Sequence, residues 1–222
     1  MKWNIWKWNI CLVNLITSTA NLKSFCAKAA KKNYITVDTE FLRERTYFSK
    51  LCLIQIAYRG DDVSDSALID VQSKNINLNP FYELLQNENV LKVFHAARQD
   101  LEIFFLEKKI FPKPFFDTQV AAMVCGFGDQ VGYETLVKKL ALITLDKSSR
   151  FTNWSQRPLS NNQLSYAIAD VTHLRTVYEE LSALLEQNER SEWLDEELAI
   201  LLDPKTYDNN PENAWKRIKT KN

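Results

Sequence analysis

The sequence predicts an α/β fold in which helices flank a mixed β-sheet. Three short runs rich in β-branched and apolar residues follow one another between positions 35 and 71, which is typical of an antiparallel meander. Beyond them, segments with apolar residues at helical spacing surround one further short apolar run. Strands first, then helices together with another strand, indicate an α/β domain built on one mixed sheet.

The individual elements follow from the same patterns. Strands are predicted over residues 11–16, 35–41, 51–58, 67–71 and 90–95. Helices are predicted from cap residues at 17–20 to about residue 30, and over 80–86, 98–109, 118–125, 133–140, 164–185 and 193–202. Ser160 is predicted to cap the long sixth helix, and Asp117 or Thr118 the fourth. Pro112 and Pro114 are expected to interrupt the chain before that fourth helix.

Composition places the chain among globular proteins with a sizeable core. Of its 222 residues, 45% are hydrophobic and 25% charged, which excludes global disorder. The 28 basic and 28 acidic side chains cancel, so binding to a nucleic acid would depend on local clusters or on metal ions. The four cysteines lie far apart without a paired motif, as in proteins of a reducing compartment, and no apolar run reaches membrane length. We therefore expect a cytoplasmic protein without a membrane contact.

The ends of the chain differ from its middle. Residues 1–11 contain three tryptophans interrupted by lysines and asparagines, and we expect an N-terminal extension without a catalytic role. Residues 12–203 are predicted to form the main domain, and residues 204–222 a polar linker or tail.

Asp38 and Glu40 stand near the end of the second predicted strand, in the run ITVDTEF. Side chains two apart on a strand point to the same face, so both carboxylates project together. Two like charges at the end of a buried strand are costly unless a cation lies between them, and a hard ion such as Mg²⁺ prefers carboxylate oxygens. For an isolated pair, two hydrated acids would be the simpler interpretation, so the metal hypothesis depends on further acids.

Three residues downstream favour the metal hypothesis. Asp100 lies near the start of the third helix, where the helix dipole alone would also favour an acid. Tyr166 and Asp170 are four apart on an otherwise apolar face of the sixth helix. Four acids on one strand and two helices are typical of two ions roughly 3.5–4 Å apart that promote in-line displacement at phosphorus. The Tyr166 hydroxyl would orient the attacking water, because a phenol is a poor base at neutral pH.

Several segments carry a family resemblance. The runs ITVDTEF, FHAARQDLEIF and YAIADVTHL resemble the three exonuclease motifs of the Asp-Glu-Asp-Asp superfamily, in its tyrosine branch. The longer runs LRERTYFSKLCLIQIA, GFGDQVGYETLV and LDKSSRFTNWSQRPLSNNQLSYAIADVTHL are similar to the ribonuclease D family, and the resemblance covers about residues 15–215.

The resemblance implies a ribonuclease-H-like fold with a five- to six-stranded mixed sheet. It implies a hydrolase that shortens RNA from the 3′ end and releases 5′-mononucleotides, with transfer-RNA precursors or other small RNAs as substrates. By motif, Asp38, Glu40, Asp100 and Asp170 would bind two Mg²⁺ or Mn²⁺ ions, and Tyr166 would hold the nucleophilic water. Family members usually continue into helical nucleic-acid-binding domains. These domains are expected to be absent from this chain, so the resemblance makes no prediction about its affinity for structured RNA.

Contacts to single-stranded RNA are predicted in two loops. Basic residues interleaved with aromatics suit a single strand, because cations meet phosphates and rings stack on bases. One such segment contains Lys147, Arg150, Phe151, Trp154 and Arg157, although these aromatics would also suit a loop that packs into the core. After the second strand, Phe41 and Leu42 are predicted to wedge against the terminal base, and Arg43, Arg45 and Lys50 to contact phosphates.

Two alternatives to an RNA-cutting enzyme stay open. A degenerate fold of this family would bind RNA or a protein without cutting, but its signature would be a lost metal ligand, and all four acids are present. An enzyme with the same chemistry could instead take DNA, since contacts to the 2′-hydroxyl need no diagnostic residue type. The sequence makes no prediction about the oligomeric state.

Overall fold

A computed structural model describes residues 13–43, 46–60, 63–145, 152–207 and 211–212. Within these residues the strands are β1 (Leu15–Ile16), β2 (Tyr34–Leu42), β3 (Lys50–Tyr58), β4 (Ser66–Ile69), β5 (Leu91–Phe94) and β6 (Phe115–Asp117). The helices are α1 (Thr19–Ala29), α2 (Asn79–Leu85), α3 (Arg98–Lys108), α4 (Thr118–Val124), α5 (Tyr133–Leu136), α6 (Asn161–Gln187) and α7 (Ser191–Leu201). No helix within the described ranges combines the length and the apolar character needed to cross a membrane.

The six described strands form one mixed sheet in the order β1-β4-β3-β2-β5-β6. Strands β2, β3 and β4 are joined as the predicted antiparallel meander, whereas β1, β5 and β6 pair with their neighbours in parallel. The predicted α/β class with a mixed sheet is confirmed. Strand β6 is absent from the prediction, because three residues between a proline and a helix carry no periodicity of their own. Its hydrogen bonds to β5 make it a strand.

Strand β2 lies in the middle of the sheet, between β3 and β5. Its first residues are buried, and Ile35 and Val37 are fully inside. On the face that carries Thr36, the hydroxyl of that residue donates to the backbone carbonyl of Val171 on α6 at 2.7 Å. This contact fixes the long helix across the strand that bears the acidic pair.

Helix α6 begins with a complete capping box. The Ser160 hydroxyl accepts from the backbone N–H of Gln163, and the Gln163 side chain accepts in return from the Ser160 N–H. The predicted cap is therefore confirmed, and the helix runs from Asn161 to Gln187. Ala167, Val171, Leu174 and other apolar residues of one face are buried against the sheet.

The predicted fifth helix differs from the structure in its second half. Regular α-helix extends only over Tyr133–Leu136, and a π-helical turn follows over Val137–Ala141. The chain leaves this turn at Leu142, whose φ of 57° is left-handed. Beyond α7, Tyr207 packs into the core against Phe105 and Phe111, so ordered structure continues past residue 203.

Candidate active site

Three carboxylates meet between strand β2 and helix α6. Asp38 and Glu40 project from β2, and Asp170 from α6, with one oxygen of each within 4.8 Å of the other two. The period-two alternation of a strand brings the first two together. A register shift between Glu40 and Phe41 follows directly, and irregularities of this kind re-aim side chains at the end of a strand. The cluster offers only hard oxygen donors.

Asp100 reaches the same region from another direction. It lies in the first turn of α3, and its Oδ1 accepts a hydrogen bond from the hydroxyl of Thr39. This contact ties Asp100 to the residue between Asp38 and Glu40, although Asp100 is not one of the three acids whose oxygens all lie within 4.8 Å of one another. The charge of Asp38 nevertheless raises the pKa of Asp100, and the charge of Asp100 raises the pKa of Glu40.

The electrostatics of the cluster call for a cation. Burial raises the pKa of Asp38 to about 6. Burial also raises the pKa of Glu40 far above its ordinary value, and the charges of Asp38, Asp170 and Asp100 raise it further. The pKa of Asp100 rises for the same two reasons, burial and the charge of Asp38. Ionised together, these acids would repel one another, and a divalent ion is the partner that such oxygens suit.

A cavity of about 250 Å³ opens next to the cluster. Its walls include Asp38 and Asp170, the ring of Tyr166 one turn before Asp170, and residues of α5. Tyr166 is half-buried, and its ring lies 6.1 Å from that of Trp154. Three of the predicted site residues, Asp38, Asp170 and Tyr166, therefore face one common space.

Two further residues of this cavity were not singled out from the sequence. The Tyr133 hydroxyl donates to the backbone carbonyl of Asp170, and so holds α6 at the residue that carries the acid. The His95 ring lies 5.3 Å from that of Tyr133, and its Nδ1 is 3.0 Å from the Thr118 hydroxyl. Burial lowers the pKa of His95 to about 4, so its ring is neutral at physiological pH. Their only sequence signal is membership of the quoted motif runs.

Asp117 has the structural role predicted for it. Its carboxylate caps α4 by accepting from the backbone N–H of Gln119, and also accepts from the N–H groups of Ala96 and Ala97. These contacts fix the loop between β5 and α3, which leads to Asp100.

The residues predicted to contact RNA after β2 follow Glu40 directly in the chain. Phe41 packs against the main core, and Leu42 against a smaller cluster that includes Trp154. Arg43 is exposed, with its Nη1 3.2 Å from Oε2 of Glu102 on α3. Their predicted role in RNA binding stays a prediction.

The second loop predicted to contact RNA contains side chains that pack inside the protein. Lys147, Arg150 and Phe151 lie outside the described residues. Trp154 is 3% exposed and packs in the smaller core cluster, so stacking of a base on it would require the ring to leave that packing.

Arg157 is engaged within the protein. Its guanidinium donates to both carboxylate oxygens of Asp70, at 2.9 and 2.8 Å, and to the carbonyls of Cys52 and Trp154. Burial alone would raise the pKa of Asp70, but the hydrogen bonds from Arg157 and from the Gln72 N–H lower it below its ordinary value. These contacts tie the loop before α6 to β3 and to the end of β4.

Comparison with known proteins identifies a family that matches most of the chain. The profile described as 3′–5′ exonuclease matches residues 13–186. The chain is 62% identical to ribonuclease D of Jannaschia sp. (strain CCS1) over 204 residues, which is 92% of this chain and 53% of the relative. It is 51% identical to ribonuclease D of Nitrobacter hamburgensis over 209 residues, or 94% of this chain and 54% of the relative. The chain thus spans about half the length of the curated relatives it matches.

Solved structures with the same fold exist. The crystal structure of Escherichia coli RNase D superposes with a TM-score of 0.84 at 32% identity, over 92% of this chain and 53% of that one. Brucella melitensis NrnC with bound Mg²⁺ superposes with a TM-score of 0.69 at 21% identity, over 94% and 96% of the two chains, which shows the fold alone. Because the family profile covers most of the described fold and all four acidic positions, the chain belongs to the 3′–5′ exonuclease family.

Proposed function

We propose that this chain is a metal-dependent 3′–5′ exoribonuclease that hydrolyses RNA one nucleotide at a time and releases 5′-mononucleotides. The observation that carries the proposal is the cluster of Asp38, Glu40 and Asp170, whose oxygens lie within 4.8 Å of one another beside a cavity. Ionised acids at this spacing repel one another, and oxygen-only donors suit Mg²⁺ or Mn²⁺. Two ions, with Asp100 as an additional ligand, are part of the proposal.

Each catalytic side chain has a distinct role in this proposal. When bound, divalent ions lower the pKa of water and offset the negative charge that develops on the phosphate. Asp38, Glu40, Asp100 and Asp170 would hold them. Tyr166 faces the cavity one helical turn from Asp170, so its hydroxyl is placed to orient the attacking water rather than to remove its proton. Tyr133 keeps α6 in position by donating to the Asp170 carbonyl.

RNA is the proposed substrate because of the relatives. Proteins 62% and 51% identical to this chain are named ribonuclease D, and the Escherichia coli enzyme is described as an exoribonuclease involved in structured RNA processing. We extend this to single-stranded 3′ ends of transfer-RNA precursors or other small RNAs. Residues 12–203 would be the catalytic domain, flanked by an extension and a tail. A reducing compartment such as the cytoplasm suits the thiols of Cys26, Cys52 and Cys125, which are free in the described structure.

A nuclease assay with a single-site variant tests the proposal. Single-stranded RNA labelled at its 5′ end is incubated with Mg²⁺ or Mn²⁺ and the wild-type chain or Asp170→Asn. We expect a ladder that shortens stepwise from the 3′ end in the wild type, with 5′-mononucleotides as products. Asp170→Asn should lower the rate at least 1,000-fold, since it removes one charged ligand from the cluster.

The matched control is Asp195→Asn, which changes an exposed acid on α7. It should cut RNA at the wild-type rate. The same assay is repeated with DNA of the same sequence. If the chain cuts DNA faster than RNA, DNA is the preferred substrate. An endonucleolytic pattern, activity without a divalent ion, or full activity of Asp170→Asn would contradict the proposal.

A further inference from the structure

The loop between β2 and β3 begins close to the acidic cluster. Strand β2 ends at Leu42, which pairs with Lys50, the first residue of β3. Leu42 is two residues beyond Glu40, so the loop begins about 7 Å along the strand from a carboxylate of the cluster. The turn therefore follows the same end of β2 that carries the acidic cluster.

Two aromatic rings are exposed at this turn. Tyr47 and Phe48 are 38% and 37% exposed, and their ring centroids lie 4.9 Å apart in an edge-to-face arrangement with an interplanar angle of 88°. The Thr46 hydroxyl donates to the Phe48 carbonyl at 2.6 Å, which fixes the backbone of the turn. Ring pairs of this kind are usually buried, because their stabilisation comes mainly from removal of apolar surface from water. Here the pair is held in one geometry while part of each ring faces solvent.

Basic residues lie on both sides of the aromatic pair along the chain. Arg43 precedes it and Lys50 follows it, and both are exposed. The Arg43 side chain keeps 41% of its surface in solvent although its Nη1 contacts Glu102. Rings with positive charges on both sides suit a strand of nucleic acid, whose phosphates meet the cations while its bases stack on the rings. A protein partner would be expected to use a larger contiguous apolar patch than two rings.

We propose that Tyr47 and Phe48 form a stacking platform for bases that lie upstream of the RNA 3′ end, with Arg43 and Lys50 beside the phosphates. The inference rests on the proposed function, because it assumes that the 3′ end occupies the acidic cluster. It adds the residues that hold the strand outside the site of cleavage. Every base has a π-face, so the platform should act on any sequence.

The platform predicts a dependence on substrate length. A dinucleotide ends before it reaches the turn, whereas a decanucleotide extends across it. In the double variant Tyr47→Ala/Phe48→Ala, KM for a ten-nucleotide RNA should rise about tenfold, which corresponds to about 1.4 kcal/mol. The kcat for that RNA, and both constants for a dinucleotide, should stay at the wild-type values.

Two control variants separate stacking from structural damage. Tyr47→Phe combined with Phe48→Tyr keeps both rings and should retain the wild-type KM. Trp193→Ala removes a 58% exposed aromatic from α7 and should also leave KM unchanged.

The outcomes distinguish this inference from the proposed function. A wild-type chain that cuts neither RNA would overturn the proposed function, and equilibrium binding of the decanucleotide to wild type and double variant would then decide the platform. An unchanged KM for the decanucleotide overturns the platform and leaves the nuclease proposal intact, as expected if a protein covers the rings. An equal loss on both substrate lengths also overturns it, because the turn would then only support the acidic strand.

Discussion

At the scale of single residues, Glu40 shows what a buried acidic cluster requires. Burial raises its pKa, and the charges of three neighbouring carboxylates raise it further. An isolated acid at the end of a strand is ionised in water at little cost in free energy. Ionisation of Glu40 together with its neighbours requires a compensating positive charge. The local strand pattern pairs Glu40 with Asp38, and the fold adds to the cost because it buries Glu40 and brings Asp170 and Asp100 close to it.

The hydroxyl group of Tyr166 can be removed to test its proposed role in orienting the attacking water. Tyr166→Phe should lower kcat for RNA about 100-fold and change KM less than about twofold, because the ring stays in place and only the hydroxyl that orients water is lost. Steady-state kinetics on the labelled RNA measure both constants. Tyr178→Phe removes a hydroxyl from the same helix beyond the cavity and should behave as wild type. A Tyr166→Phe variant with unchanged kcat would exclude a role for the hydroxyl.

Arg157 separates a structural role from RNA binding. Its side chain is 24% exposed and that of Asp70 10%, so the pair is partly desolvated. Arg157→Lys should lower the free energy of unfolding by about 2 kcal/mol, because lysine cannot reproduce the two-pronged contact. Since the pKa of Asp70 is lowered, this stabilisation is present above its ordinary pKa of about 4 and is lost at more acidic pH.

Urea unfolding at neutral pH measures this change, with Arg59→Lys as the control. Arg59 lies 3.5 Å from Glu179 and is 78% exposed, so its replacement should cost less than about 0.5 kcal/mol. A variant Arg157→Lys with wild-type stability and a raised KM would instead support the contact to RNA predicted from the sequence.

At the scale of elements, α6 connects folding to the site because it carries both Tyr166 and Asp170. The capping box at its start satisfies backbone N–H groups that would otherwise lack partners. Ser160→Ala should lower the free energy of unfolding by about 1 kcal/mol. The kcat should remain within about twofold of wild type, since Thr36 and Tyr133 still hold the middle of the helix.

Thermal and urea denaturation together with the RNA assay check the effect of Ser160→Ala. Ser191→Ala at the start of α7 is a suitable comparison, because no side-chain cap bond is present at the start of that helix. A loss of activity much larger than the loss of stability would mean that the cap itself shapes the site.

At the scale of the whole molecule, the acidic cluster links stability to pH and metal. The pKa values of Asp38 and Glu40 are raised, so the folded protein holds protons that the unfolded chain releases above about pH 4. Stability of the metal-free protein therefore falls as the pH rises through this range. Saturating Mg²⁺ should raise Tm by about 5 °C at pH 8, and by much less at pH 5, where protons already neutralise the cluster.

Differential scanning calorimetry with Mg²⁺ or with a chelator measures these shifts. Asp38→Asn should remove most of the shift at pH 8, because one ligand and one repulsive charge are gone. Equal shifts at both pH values, or a full shift in this variant, would show that Mg²⁺ binds elsewhere.

Much of this arrangement can be predicted from the sequence where local pattern decides it. The strand that bears Asp38 and Glu40, the cap at Ser160 and the cap at Asp117 all depend on nearest neighbours, and each is confirmed. The π-helical turn after α5 and strand β6 could not be predicted, because packing and strand pairing decide them rather than propensity.

Side-chain roles that depend on distant partners are harder to predict. A tryptophan and an arginine in a basic, aromatic loop suggest RNA, but Trp154 is buried and Arg157 meets Asp70, 87 residues earlier. Nothing within that loop indicates the acid that pairs with the arginine.

By itself, the sequence determined the α/β class, the meander around the acidic strand, and the four acids on which the resemblance to a 3′–5′ exonuclease rests. Only the tertiary structure decided that Asp38, Glu40 and Asp170 meet within 4.8 Å and that Thr39 donates a hydrogen bond to Asp100. The physical reason is the separation along the chain over which each interaction acts. Hydrophobic period and capping act between neighbours along the chain, whereas repulsion between carboxylates and the pairing of buried ions depend on which distant segments packing brings together.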